Sequence, residues 1–222
     1  MIIEGQKLKK SFFQGKKEIS VLKEINLQVS NGETIAILGK SGSGKSTLLS
    51  ILAGLDHPTS GSLKILGQDF VAMNENEKTK FRGRHIGFVF QSFHLIPHLT
   101  ALENISLPLD ILNISDAESK ALEFLARVGL ANRGNHLPKE LSGGEMQRVA
   151  VARALISSPG IILADEPSGS LDEENAFEVT NLLFELIREE NKAMILVTHD
   201  NDLAERCSKR LGLDHGVLSD VH

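Results

Sequence analysis

Cysteine is almost absent from this sequence and long apolar runs are missing, and both absences limit what the protein can be. Cys207 is the only cysteine among 222 residues, so no internal disulfide can form. No segment approaches the roughly 18 apolar residues of a membrane span, and the N-terminal segment MIIEGQKLKK lacks the apolar core of a signal peptide. We therefore expect a chain that stays in the cytosol, so that any membrane-spanning partner is another chain.

Basic side chains are too scattered to indicate nucleic acid as a partner. The formal net charge is −5, from 24 Lys and Arg residues against 29 Asp and Glu residues. A hydrophobic content of 41% at this length is typical of one α/β unit with a proper core. The segment LAERCSKR around Cys207 has the pattern of an amphipathic helix, which indicates packing rather than catalysis for that thiol.

A glycine-rich stretch between an apolar run and a helix-prone segment is the most informative feature. Residues 35–38 are apolar, and residues 39–46 match G-x-x-x-x-G-K-[ST]. In such a loop the backbone N–H groups face one phosphate cluster, while the lysine reaches the β and γ phosphates and the serine hydroxyl reaches Mg²⁺. The alternative is a glycine-rich turn before an ordinary helix, which the flanking pattern disfavours. The predicted phosphate-binding residues are Gly39, Lys40, Ser41, Gly42, Ser43, Gly44, Lys45, Ser46 and Thr47.

The first 29 residues predict an antiparallel pair of strands. Apolar residues alternate over residues 19–29, and residues 14–17 form the predicted turn. Phe12 and Phe13 precede that turn. One of them could stack on an adenine base, and an ordinary core or edge aromatic is an equal alternative.

Polar residues follow three predicted strands, at the edge where α/β sheets bind their ligands. Residues 86–90 end at Gln91, and residues 161–164 are followed by Asp165 and Glu166. The third strand, residues 193–197, leads to His199. Asp165 suits Mg²⁺ binding and Glu166 suits orienting an attacking water, although such a pair alone is more often a loop start or a helix cap. Without the other motifs, Gln91 would be interpreted as an ordinary glutamine in a loop.

Residues 92–157 predict helices without strands, hence a helical subdomain inserted between strands. Two capping boxes are predicted there, at Thr100 with Glu103 and at Ser115 with Glu118. A third, in the stretch LSGGE, predicts a second anion site at a helix N-terminus. Which phosphate each anion site binds stays open. The residues of this second site are Ser142, Gly143, Gly144 and Glu145.

The order of these motifs along the chain resembles that of the ATP-binding cassette family from end to end. The resemblance implies ATP and Mg²⁺ as cofactors, with Ser46, Gln91 and Asp165 on the metal. Lys45, Glu166 and His199 would act in hydrolysis, with His199 on the γ-phosphate. It also implies a head-to-tail dimer of two copies, in which ATP lies between the P-loop of one copy and residues 142–145 of the other. The adenine would stack on Phe12, where Tyr is usual, and this chain contains no Tyr.

Within the family, the chain most resembles ATPases that drive lipoprotein release from the bacterial inner membrane. The stretches FHLIPHLTALENISLPL, GLANRGNHLPKELSGGE and ILADEPSGSLD carry that resemblance. It implies integral membrane permeases as partners, with Gln91 linking nucleotide to transporter, and lipoprotein cargo met only indirectly. The alternatives are a macrolide-exporter ATPase and a cell-division regulatory module. Met146, Ser168 and Ser170 depart from the usual residues, which leaves ATPase activity credible and puts fine tuning of dimer contacts in question.

The same resemblance divides the single nucleotide-binding domain into two parts. Residues 1–91 and 158–222 form the ATP-binding core with its β subdomain, and residues 92–157 form the helical subdomain. The predicted fold class is thus α/β, a P-loop ATPase core with an N-terminal antiparallel β subdomain and an inserted helical subdomain.

Overall fold

The computed structural model describes residues 1–15 and 17–221, which form ten strands and seven α-helices. The strands are β1 (Ile3–Gln14), β2 (Lys17–Val29), β3 (Thr34–Leu38), β4 (Ser60–Ile65), β5 (Gln68–Asp69), β6 (Ile86–Phe90), β7 (Ile161–Asp165), β8 (Ala193–Thr198), β9 (Lys209–Asp214) and β10 (Val217–Asp220). The helices are α1 (Lys45–Leu52), α2 (Glu75–His85), α3 (Ala101–Ile111), α4 (Ala117–Arg127), α5 (Gly143–Leu155), α6 (Glu173–Glu189) and α7 (Asn201–Glu205). They divide into two compact units, the first up to Thr79 and from Asn191 onward, the second Lys80–Glu190.

The first unit contains an antiparallel sheet of four strands in the order β2-β1-β4-β5. The predicted N-terminal strand pair is confirmed, with Ile3 opposite Val29 and Gln14 opposite Lys17. Lys16, part of the predicted turn, lies outside the described residues. Ile25, Leu27 and Val29 are buried at alternate positions of β2, whereas Ile19 is 40% exposed, so the predicted alternation marks a buried face only in the second half of the strand.

The first unit also contains parallel strands, which hold the glycine-rich loop. β3 pairs in parallel with β8 and with β9, and the closing hairpin of β9 and β10 is antiparallel. Leu38 lies opposite Thr198. β8 is buried along its whole length, as expected of a parallel strand that is covered on both faces.

The second unit combines one parallel strand pair with helices. β6 pairs with β7, and Phe90 lies opposite Asp165. Residues 92–157 contain α3, α4, a 3-10 helix at Pro138–Glu140 and α5, as predicted, without a strand. α6 is amphipathic, and Val179, Leu183 and Leu186 are buried along one face. The domain bounds proposed from the sequence remain a prediction.

One of the predicted capping boxes is wrong. Thr100 and Glu103 form theirs, with Glu103 N–H donating to Thr100 Oγ1 at 3.2 Å and Thr100 N–H to Glu103 Oε2 at 2.8 Å. At α4, however, the N-cap is Asp116, in the left-handed region at φ 62°, and no side chain caps the helix. The helix starts one residue later than Ser115 requires, so Glu118 is too near its start to close the box.

The predicted amphipathic helix around Cys207 is also wrong beyond its first residues. α7 ends at Glu205, because the chain turns into β9 beside β3. Ser208 marks this turn, with its N–H donating to Thr34 Oγ1 at 2.9 Å. Burial raises the pKa of the Cys207 thiol to about 12, which agrees with a packing role.

No helix among the described residues has the length and apolarity that crossing a membrane requires.

Candidate functional site

The glycine-rich loop after β3 curls tightly into α1. Gly42 and Gly44 have φ angles of 79° and 108°, a region in which side chains are strained. A Cβ atom at Gly39 would lie 2.7 Å from the Ser43 Oγ and still closer to the backbone oxygen of Leu213. The loop therefore needs glycine at residues 42 and 44 for their backbone conformation, and at residue 39 because a side chain has no space there.

This loop carries a positive charge and leads into a helix whose first N–H groups are not capped by a side chain. The Lys45 Nζ donates to the backbone oxygens of Gly39 at 2.6 Å and Lys40 at 3.2 Å, so the ammonium lies along the inside of the loop. α1 has no side-chain cap and no acidic residue in its first turn. Among the described residues, the buried Ser43 Oγ has no hydrogen-bond partner. A helix N-terminus with these features is suited to an anion such as phosphate.

His199 lies at the same sheet edge as this loop. It directly follows β8 and is exposed, whereas the loop directly follows β3, and the two strands are parallel neighbours. Thr198 Oγ1 accepts from the Asp200 N–H at 3.0 Å, which fixes the turn that carries the histidine. The first unit thus brings together two of the predicted groups at the carboxyl ends of adjacent strands.

Phe12 is accessible on β1 and has a cation at its ring. Its exposed fraction is 45%, against 74% for Phe13. Lys10 Nζ lies 4.9 Å from the Phe12 ring centroid, a cation–π distance. That ammonium is held in place by Asp56 Oδ1 at 2.5 Å and the His57 carbonyl at 2.8 Å. Stacking of adenine on Phe12 remains a prediction.

The second unit brings Gln91 beside the segment that follows Glu166. Gln91 and Glu166 directly follow the opposed residues Phe90 and Asp165 of β6 and β7. A Cβ at Gly169 would lie 2.9 Å from Gln91 Nε2, so this amide packs against the loop after β7. Glu166 itself has a φ angle of 45°, unusual for a residue with a side chain and costing about 1–3 kcal/mol.

Gln147 is a positioning residue that the motif analysis missed. It is fully buried on α5, and its Nε2 donates to the Phe90 carbonyl at 3.1 Å and to the Pro167 carbonyl at 2.5 Å. It therefore ties together the residue before Gln91 and the residue after Glu166. A lone glutamine inside a helix carries no motif signal, although a polar residue on an apolar helix face would have marked it as unusual.

The N-terminus of α5 is a capping box, as predicted from the LSGGE stretch. Ser142 Oγ accepts from the Glu145 N–H at 3.2 Å, and Glu145 Oε2 accepts from the Ser142 N–H at 2.8 Å. A Cβ at Gly144 would lie 2.9 Å from Asn175 Cγ, and one at Gly143 3.2 Å from Leu171 Cδ2. A side chain at residue 144 would thus displace the Asn175 side chain, whereas one at residue 143 would need only a small shift of Leu171.

Glu145 in this box is held as a carboxylate. The hydrogen bond from the Ser142 backbone lowers its pKa below the ordinary value, and the Arg133 guanidinium lowers it further. Arg133 Nε donates to Glu145 Oε1 at 2.8 Å. Both carboxylate oxygens are thus occupied, and sequence reasoning had not identified Arg133.

The predicted magnesium ligands are a hydroxyl, an amide and a carboxylate, from Ser46, Gln91 and Asp165. All three offer oxygen, the donor that Mg²⁺ prefers, and Mg²⁺ usually takes only one or two carboxylates. The described residues contain no group of three or more His, Cys, Asp or Glu side chains placed to hold a metal. A metal held with phosphate and water does not require such a group, so the donor set fits.

A strand that runs through this glycine-rich loop into a helix, within a parallel sheet, defines a P-loop nucleotide-binding domain. The chain belongs to the ABC transporter family, whose model matches residues 22–169. This confirms the family indicated by the order of the motifs and the α/β fold predicted for it. The protein is thus an ATP-binding subunit of the ABC type.

Two relatives and one solved structure match this chain over nearly its full length. The uncharacterized ABC transporter ATP-binding protein YbbA of Escherichia coli K12 is 50% identical, over 99% of this chain and 97% of its own. The lipoprotein-releasing system ATP-binding protein LolD of Hahella chejuensis is 46% identical, over 99% and 96%. The ATP-binding cassette MJ0796, solved as a post-hydrolysis dimer with ADP and Pi, is 40% identical with a TM-score of 0.90, covering 99% of both chains.

Proposed function

We propose that this protein is the ATP-hydrolysing subunit of a transporter that releases lipoproteins from the bacterial inner membrane. The observation that carries the proposal is the 46% identity to LolD of Hahella chejuensis over nearly the whole of both chains. Membrane permeases of the LolC and LolE kind would be the partners, and the chain would lie at the cytoplasmic face of the inner membrane. Its output would be conformational work, with the cargo met only through the permeases.

ATP binding is assigned to two loops. Lys45 and the N–H groups of residues 39–47 hold the phosphates in one copy, and residues 142–145 of a second copy complete the site in a head-to-tail dimer. The relative MJ0796, solved as a dimer with ADP and Pi, supports dimerisation of a nucleotide-bound cassette. Phe12 stacks on the adenine, and its accessible ring supports that role.

Hydrolysis is assigned to Glu166, His199 and the metal ligands. Bound Mg²⁺, held by Ser46, Gln91 and Asp165, would neutralise the charge on the phosphates. The carboxylate of Glu166 orients and deprotonates the attacking water, and His199 contacts the γ-phosphate. The position of Glu166 directly after Asp165, at the end of β7, supports this division of roles.

Two substitutions test the division of roles. Lys45→Ala should abolish tight ATP binding, because the loop loses the ammonium that lies along its inside. Glu166→Gln should bind ATP yet hydrolyse it very slowly and accumulate as a dimer, which light scattering after gel filtration detects. Turnover of Glu166→Gln at the wild-type rate would remove Glu166 from its role.

A second candidate function is an exporter or cell-division ATPase of the MacB or FtsE kind. The 50% identity to the uncharacterized ABC transporter ATP-binding protein YbbA supports an ABC ATPase role that is not tied to lipoproteins. Tagged Glu166→Gln protein, purified from its own host in mild detergent with ATP, distinguishes the candidates. Two related permeases with lipoproteins would support lipoprotein release. A single permease type, or division proteins, would refute it and leave the ATPase role intact.

A further inference from the structure

The N-terminus of α5 carries a negative charge of its own at the place where we propose that it meets phosphate. Glu145 is the third residue of the helix, and its Oε2 is fixed by the Ser142 N–H at 2.8 Å. The carboxylate stabilises the helix start, yet it would repel a phosphate bound at the same residues. The glycine-rich loop before α1 has no such acidic residue in its first turn.

Arg133 supplies the opposite charge. It lies in the connection between α4 and α5, where its N–H donates to the Leu130 carbonyl at 2.8 Å and its carbonyl accepts from the His136 N–H at 3.0 Å. This turn positions the Nε 2.8 Å from Glu145 Oε1. The side chains are 46% and 24% exposed, so the pair borders solvent, where a bound nucleotide could be reached.

We propose that Arg133 is a positioning residue for ATP, which neutralises Glu145 so that the Ser142 loop can accept the phosphates of the nucleotide. The inference rests on the proposed function, in which residues 142–145 close the ATP site of a second copy. The Ser142 hydroxyl accepts from the Glu145 N–H and keeps its own proton to donate to an anion. With Glu145 neutralised, that donor and the helix N-terminus act on phosphate without an opposing charge.

A purely structural role predicts something different. An exposed ion pair of this kind contributes little to folding stability. If Arg133 served only packing, Arg133→Ala would lower stability slightly. Any loss of ATP affinity that accompanied it would then persist when Glu145→Gln is added. The two readings therefore differ in whether Glu145→Gln rescues the loss of Arg133.

The test measures ATP-driven dimerisation in the Glu166→Gln background by sedimentation velocity across an ATP titration. Arg133→Ala should raise the ATP concentration at half-maximal dimerisation about tenfold, equivalent to about 1.4 kcal/mol. Adding Glu145→Gln to that variant should restore it to within about twofold. Arg127→Ala is the matched control, because it removes another guanidinium that pairs with Glu189 and Glu190, with the same change in net charge. It should leave the titration unchanged.

Different results would refute the role of Arg133 and the proposed function on which it rests. An unchanged titration for Arg133→Ala, or a loss that Glu145→Gln does not rescue, would overturn the role of Arg133 and leave the proposed function standing. Absence of ATP-driven dimerisation in Glu166→Gln alone would overturn the proposed dimeric ATP site, and the inference with it.

Discussion

Replacing Gln147 by Met should weaken both the fold and ATP hydrolysis. Met has a similar volume but no amide, so the carbonyls of Phe90 and Pro167 would lose a buried donor. These carbonyls flank Gln91 and Glu166 in sequence, so the loss acts on the backbone that carries both. The side chain is fully buried, and water therefore cannot easily take its place.

The size of the effect follows from these contacts. A buried acceptor left without a partner costs about 1–3 kcal/mol, which applies in full to the Pro167 carbonyl and in part to the half-buried Phe90 carbonyl. Part of this is offset, because Gln147 Oε1 is itself buried without a partner among the described residues and Met removes it. We expect a net loss of about 2 kcal/mol in the free energy of unfolding, or about 4–8 °C in Tm for a chain of this length.

Thermal unfolding by circular dichroism and steady-state ATPase kinetics measure the two effects. We expect kcat to fall roughly tenfold with KM little changed, the signature of a lost transition-state interaction. The exposed Gln68 on β5 provides the matched control, and Gln68→Met should change neither quantity. A Gln147→Met protein that unfolds within 1 °C or so of the wild type would refute the reasoning, because the two hydrogen bonds would then contribute almost nothing.

Two further predictions concern helix capping and the single thiol. Thr100→Ala should lower the free energy of unfolding by about 1 kcal/mol in urea denaturation, because it removes a formed capping box, whereas Ser115→Ala should not. The raised pKa of Cys207, about 12 against an ordinary 9.0, means that the folded protein keeps the thiol proton longer than the unfolded chain. Its stabilising contribution is present below pH 9 and is lost as the pH rises toward 12. Iodoacetamide at pH 8.5 or so should alkylate it at least tenfold more slowly in the folded protein than in urea.

Either prediction has a clear contrary result. Equal effects of Thr100→Ala and Ser115→Ala would mean that the α4 N-terminus is capped after all. Alkylation of the folded protein at the rate seen in urea would show a thiol that is neither buried nor shifted in pKa.

The sequence predicted regular elements well, since their patterns are local. The predicted strand before Gln91 agrees with the structure within a residue or so. Capping was less predictable: the same box motif forms at Thr100 and fails at Ser115, because Asp116 adopts a left-handed conformation that sequence does not specify. The helix predicted around Cys207 likewise ends early, because the residues that follow Cys207 pair with β3 as strand β9.

The candidate site was predictable where a motif repeats a known chemical arrangement, and unpredictable where the contact is tertiary. The glycine-rich loop and the LSGGE box were found from spacing alone. Gln147 and Arg133 were missed, because each acts through residues 12 to 57 positions away. The backbone strain at Glu166 also has no sequence signal, since glutamate is an uncommon residue at positive φ.

The two helix N-termini differ in charge, and this difference predicts the order of events. α1 has the ammonium of Lys45 and no acidic first turn, whereas α5 begins with a filled capping box whose Glu145 carboxylate is paired with Arg133, so it adds no net positive charge. ATP should therefore bind first to the loop before α1, and only nucleotide already held there should recruit the α5 loop of a second copy. Ser142→Ala should accordingly leave ATP binding by the monomer unchanged while it weakens dimerisation of the Glu166→Gln protein. Equilibrium dialysis at low protein concentration, followed by sedimentation, separates the two steps. Parallel losses in both would show that the two loops bind ATP together rather than in sequence.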